Sequence, residues 1–125
     1  MRRPTGHRVT ADDAPVQFAG WVWFTHEGRF RPAGADVESL YVDRSTGVEH
    51  VPFAEIEPLM GPDLYDVKLA RHESKDESFL VVEGTRYFIS DSDLYDRLGL
   101  DRNKLETTSE EDLLAMPQGE DILMR

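Results

Sequence analysis

The most apolar run in the chain covers residues 16–24, reading Val-Gln-Phe-Ala-Gly-Trp-Val-Trp-Phe. Alternation puts Val16, Phe18, Val22 and Phe24 on one face and Ala19, Trp21 and Trp23 on the other, so the pattern predicts a central strand. Neither face is polar, and both therefore need cover from the chain's own elements or from a partner. Thr25-His26-Glu27-Gly28-Arg29 supplies a reversal, Phe30 resumes an extended segment and Pro32 closes it, which predicts a hairpin. Residues 37–42 are rich in β-formers and lead through Asp43-Arg44-Ser45-Thr46-Gly47, a strong turn, to a return strand near residues 48–51. Pro52 and Pro58 bracket one short helical turn.

Met60-Gly61-Pro62-Asp63 is the one internal break. Beyond it Tyr65, Val67 and Leu69 alternate with Asp66, Lys68 and Ala70, the pattern of a half-wet strand, and residues 73–77 form a charged loop. Phe79-Leu80-Val81-Val82 and Tyr87-Phe88-Ile89 meet across Glu83-Gly84-Thr85 as a second hairpin. Both hairpins carry Glu-Gly followed by Arg and an aromatic residue, a likeness that common turn chemistry explains without internal duplication. After Ile89 the periodicity becomes helical. One helix starts among Ser90, Asp91 and Ser92 and stops at Gly99; another starts at a capping box of Thr108 and Glu111 and ends at Pro117.

These elements predict an α+β fold, mainly β, with about 6–7 strands in a small antiparallel sheet or barrel and two short C-terminal helices. Three segments follow: a flexible basic arm over residues 1–14, a single β-rich domain over 15–116 and a tail over 117–125.

Charge changes the picture more than length does. The 125 residues hold 25 Asp and Glu against 14 Lys and Arg, a net charge of -11. Acidity is concentrated in residues 36–70, with 8 acidic against 2 basic groups, and in 91–125, with 10 against 4. Such a surface is repelled by nucleic acid and anionic lipid, so no direct contact with either is expected. No apolar run is long enough to span a bilayer, and the basic N-terminus lacks the apolar core of a secretory signal. With no cysteine, disulfides and thiolate chemistry are excluded, and a cytoplasmic location is expected.

Candidate chemistry is sparse. His7, His26, His50 and His72, with Glu27, Glu49 or Glu73 beside three of them, could converge on a metal, but no H-x-H or H-x-x-x-H pair fixes them on one face. Asp91, Asp93 and Asp96 miss the calcium-loop pattern and are explained by helix capping. Asp63, Asp66, Glu83 and Asp91 form a carboxylate set that any acidic chain would supply. No nucleophile elbow and no phosphate-binding glycine loop is present. Neither a cofactor nor a catalytic residue is therefore assigned, and no enzymatic activity is expected.

The expected role is a protein-protein interaction module, accessory or regulatory and of a kind that viruses or mobile elements encode. Its partner, another protein or a second copy of the chain, would be held by Trp21, Trp23, Phe30 and Tyr41 and by the terminal run Ile122, Leu123 and Met124. Each buried Trp could contribute on the order of 4–6 kcal/mol before ordering costs. An acidic mimic of DNA that occupies a nucleic-acid-binding protein is the first alternative. A metal-dependent hydrolase built from scattered carboxylates and histidines is the second.

Overall fold

The computed structural model describes residues 3–122 and shows an α+β fold, mainly β, in two four-stranded sheets that do not close into a barrel. The first half of the chain contains β1 (Arg8–Thr10), β2 (Val22–His26), β3 (Arg29–Pro32), α1 (Ala35–Glu38), β4 (Val48–His50) and α2 (Phe53–Ile56). Its sheet has the order β3-β2-β1-β4, antiparallel except for the parallel pair β1 and β4. The second half contains β5 (Val67–His72), β6 (Ser78–Val82), β7 (Thr85–Phe88), α3 (Asp93–Leu98), β8 (Leu105–Thr108) and α4 (Glu110–Ala115). Its sheet repeats the pattern as β7-β6-β5-β8, again with only β5 and β8 parallel.

Register shows that this is one unit built twice. Arg8 pairs with Phe24 and Val48, and Phe24 with Arg31; in the second half Leu69 pairs with Leu80 and Leu105, and Leu80 with Tyr87. Arg8, Phe24, Arg31 and Val48 thus correspond to Leu69, Leu80, Tyr87 and Leu105. Both hairpins turn on Glu-Gly with positive φ at both residues, 50° and 82° at Glu27 and Gly28, 50° and 87° at Glu83 and Gly84. That is the left-handed pair which a two-residue hairpin loop requires. Each half then sends a trailing segment along its outer hairpin strand: Gly61 N–H donates to Phe30 O, and Gly119 N–H to Arg86 O. Both glycines begin Gly-x-Asp-Leu or Gly-x-Asp-Ile, and a Cβ on either would press on the side chain at the corresponding position, Arg31 or Tyr87. Shared turn chemistry therefore does not account for the likeness of the hairpins; a repeated unit does.

The halves join at a reciprocal crossing. Tyr41 bridges Leu100, Val42 N–H donates to Gly99 O, and Asp101 N–H donates to Leu40 O, contacts that exchange when the halves are swapped, as a two-fold relation demands. The inner sheet faces meet in one core that includes Phe24, Leu64, Leu69, Leu80, Tyr87, Leu98 and Ile122. On the outer face of the first sheet, Val9, Trp23, Phe30 and Val51 pack with Phe53 and Ile56 of α2; on that of the second, Ala70, Phe79 and Val81 pack with Leu113 of α4.

Several expectations need correction. Residues 16–18 form a 3-10 turn with Val16 90% exposed, and the strand begins only at Val22, because Pro15 and Gly20 interrupt extended pairing. The supposed flexible arm supplies β1, an inner strand whose Arg8 and Val9 are wholly buried. Residues 35–38 are helical, and only Tyr41 of the expected strand over 37–42 makes a bridge. One mainly antiparallel sheet of 6–7 strands becomes, among the described residues, two mixed sheets with eight strands in total; the expected helical turn after Pro52 and the two C-terminal helices are present as α2, α3 and α4, and α1 is added to them. The last helix is capped one residue later than expected, by Ser109, whose Oγ accepts from Asp112 N–H at 3.1 Å. Within the tail, residues 118–122 dock on the protein's own sheet, where Ile122 N–H donates to Phe88 O.

Candidate functional site

The residues proposed to hold a partner separate sharply on burial. Trp23 is 0% exposed, Phe30 3%, Tyr41 4% and Ile122 1%; they fill the core and offer no surface. Their positions explain it: Trp23 and Phe30 point outward from the first sheet but lie beneath α2, and Tyr41 sits at the crossing of the halves. Leu123 and Met124 lie outside the described residues. Trp21 alone of the set is exposed, at 41%, its ring 6.0 Å from that of Trp23 and edge-on to Phe18 at 4.9 Å.

Two polar constellations stand out. The first is a clasp between the hairpins. Arg31, buried on the inner face, donates to both oxygens of Glu83 at 2.7 and 2.8 Å, to the carbonyls of Pro62 and Asp63 at 3.0 Å each, and to His26 Nδ1 at 2.9 Å. Since Nδ1 accepts, the neutral ring carries its proton on Nε2 and donates it to Tyr87 Oη at 3.0 Å. The Tyr87 hydroxyl in turn donates to Glu27 at 3.0 Å. Each turn glutamate thus takes a donor from the opposite half, Glu83 from Arg31 and Glu27 from Tyr87, at corresponding positions. The arrangement is saturated with internal partners and holds the halves together.

Acid should loosen this clasp in two stages. Burial, aided by the neighbouring Arg31 charge, lowers the pKa of His26, and burial likewise lowers that of His7; hydrogen bonds from Arg31 lower that of Glu83. In each case the unfolded chain binds a proton more readily than the folded one, so stability is complete above the unfolded value and is lost as pH falls below it. Urea midpoints should first drop below about pH 6.5 and drop again below about pH 4.5. A His26→Gln variant should lose part of the upper step, leaving the share of His7. Midpoints that stay level between pH 7.5 and 5.5 would contradict this.

The histidines do not gather. His7 bonds Glu49, His50 bonds Asp12, and His72 receives the backbone N–H groups of Ser74 and Lys75. Among the described residues no three His, Asp or Glu side chains converge to hold a metal ion. Asp91 accepts from Asp93 N–H at the start of α3, and Asp63 through its backbone carbonyl and Glu83 through its carboxylate both accept from Arg31.

The second constellation is a cleft of about 490 Å3 lined by Gly20, Trp21, Val22, Pro32, Ala33, Gly34, Arg44, Asp63 and Leu64. Its origin is visible in the repeat. The connection from β1 to β2 spans 11 residues (11–21), whereas that from β5 to β6 spans 5 (73–77); from the crossing residue Tyr41 to β4 the chain spans 6 (42–47), against 4 (101–104) from Leu100 to β8. Both extensions belong to the first half, and they meet: Arg44 Nη2 donates to Gly20 O at 3.1 Å. Thr10 Oγ1 donates to Trp21 O at 2.6 Å and anchors the first extension to β1. Asp43 shapes the second by accepting from Ser45 and Thr46 N–H, bonds that hold its carboxyl down at about 2. The cleft thus joins an indole face, apolar walls, one guanidinium and one carboxylate.

Sequence reasoning named Trp21 and Asp63 but missed Ala33, Gly34 and Arg44. Aligning the halves on Glu-Gly and on Gly-x-Asp would have exposed the unequal connections and drawn notice to what they carry. Comparison with known proteins finds no matching family model, no matching curated protein and no matching solved structure.

Proposed function

We propose that the protein is a non-enzymatic interaction module of the cytoplasm that binds a partner protein at the Trp21 cleft. The observation that carries this reading is the meeting of both first-half extensions at one place. The second half folds with shorter connections; in the first, the added length packs Phe18 on Phe53 and Trp23, brings Thr46 O to Arg8, and leaves a hollow between the two extensions. They add an exposed indole, an apolar hollow and a cation, the mixture that concentrates binding energy at interfaces. No helix among the described residues is long and apolar enough to cross a membrane. The clasp, by contrast, spends its polar groups on one another.

A Trp21→Ala protein should remain folded and lose its partner. Truncating a central interface Trp costs about 2 kcal/mol or more, roughly a thirtyfold loss of affinity. The measurement is capture from native lysate at low and high salt, with the variant beside the parent. Capture that survives salt and depends on Trp21 supports the reading. A partner that binds both proteins equally, fades with salt and is displaced by DNA would replace it with acidic mimicry.

A further inference from the structure

The second half shows what the cleft of the first is shaped to receive. In the second half, Tyr95 of α3 turns back over β6, and its hydroxyl donates to Ser78 Oγ. The guanidinium of Arg102 lies over its ring at 4.6 Å, and Asp76 is near enough to act on the phenol. By strand register Ser78 corresponds to Val22, and Asp76, two residues earlier, to Gly20. Arg102 comes from the connection between α3 and β8, which corresponds to the one between α1 and β4 that holds Arg44. The tyrosine therefore occupies the place that is open in the first half. There, the short helix α1 commits Val37 to the core and Glu38 to Arg8, and Val22, although only 7% exposed, lines the cleft. The walls are smaller as well: Ala33 stands where the second half has Ile89.

We infer that the cleft accepts an aromatic side chain, tyrosine above all, from an extended basic segment of the partner protein. This rests on the cleft being the interaction site. Arg44 would lie over the incoming ring as Arg102 lies over Tyr95, and Trp21 would close its other side. The volume of about 490 Å3 falls toward the small end of ligand sites, about 300–1,000 Å3, and suits one ring with its flanking backbone. Charge chooses the carrier: Asp63 on the wall and Asp36 in the first turn of α1, on a chain of net charge -11, favour lysines or arginines beside the aromatic residue.

The test uses the full chain and two synthetic peptides, Lys-Lys-Gly-Tyr-Gly-Lys-Lys and the same sequence with Ala in place of Tyr, titrated by calorimetry. The tyrosine peptide should bind about tenfold more tightly or better, and Ala33→Ile, which copies the filled wall of the second half, should remove that advantage. Arg44→Gln should weaken the tyrosine peptide and leave the alanine peptide unchanged. Thermal melts of both variants show whether they are folded, and Arg44→Gln, on an exposed loop, serves if Ala33→Ile does not fold. Equal binding of both peptides, lost with Trp21→Ala, overturns the aromatic occupant and keeps the cleft as the interaction site. Tyrosine-dependent binding that ignores Ala33→Ile, Arg44→Gln and Trp21→Ala places the ring elsewhere and overturns both readings, as does no binding of either peptide.

Discussion

Replacing Arg31 with Leu is expected to lower the unfolding free energy by about 3–5 kcal/mol, the loss usual when one partner of a buried ion pair is removed. The reason lies in what the guanidinium leaves behind. Glu83 would keep a carboxylate whose side chain is only 19% exposed, and the carbonyls of Pro62 and Asp63 and the Nδ1 atom of His26 would each lose a donor. The contact crosses between the halves, so the loss falls on their association as well as on local packing. Urea denaturation at pH 7.5 measures it. Adding Glu83→Gln to the Arg31→Leu variant should recover part of the stability by removing the orphaned charge, and a single-variant loss below about 1 kcal/mol would show the clasp to be ornamental.

A comparable loss, about 3–5 kcal/mol, is expected for Arg8→Leu, followed by a fuller recovery than the partial one expected at Arg31. Arg8 is wholly buried; it donates to Glu38 at 2.8 Å and to Thr46 O at 2.7 Å, and its guanidinium lies 3.8 Å from the centre of the Tyr41 ring. Leu alone would strand the Glu38 carboxylate, which is 12% exposed. The second half, however, builds the corresponding position with Leu69 and needs no ion pair there. The double variant Arg8→Leu, Glu38→Leu should therefore return to within about 1 kcal/mol of the parent or exceed it, as apolar replacement of buried ion pairs often does. A double variant as unstable as the single one would mean that Arg8 is held for its bonds to the backbone and to Tyr41.

Much of the second half was legible because local signals agreed there. The alternation at 67–72, the Glu-Gly turn, the glycine after α3 and the acidic start of α4 each specify one conformation without help from afar. The first half misleads for a physical reason. Residues 16–21 are as apolar as a strand, yet they roof Trp23 and Phe53 from an exposed turn, and burial by stacked rings leaves no period to read. β1 is hidden for the opposite reason: its inward residues are Arg8 and Thr10, which read as an arm until a buried carboxylate supplies the partner. The cleft was half legible. Trp21 announced itself, but the hollow beside it comes from Ala33 and Gly34 being small, a signal that exists only against the larger residues of the other half.

Two corresponding places in the halves differ, one filled by the chain's own tyrosine and one left for another molecule's. Amide and indole NMR shifts of the labelled protein, followed while the tyrosine peptide is added, test this difference most directly. The expected result is movement of the Trp21 indole and of the Ala33, Gly34 and Arg44 amides, with Ser78, Ile89 and Tyr95 still. Shifts centred on Ser78 and Tyr95, or spread evenly over the acidic surface, would contradict it.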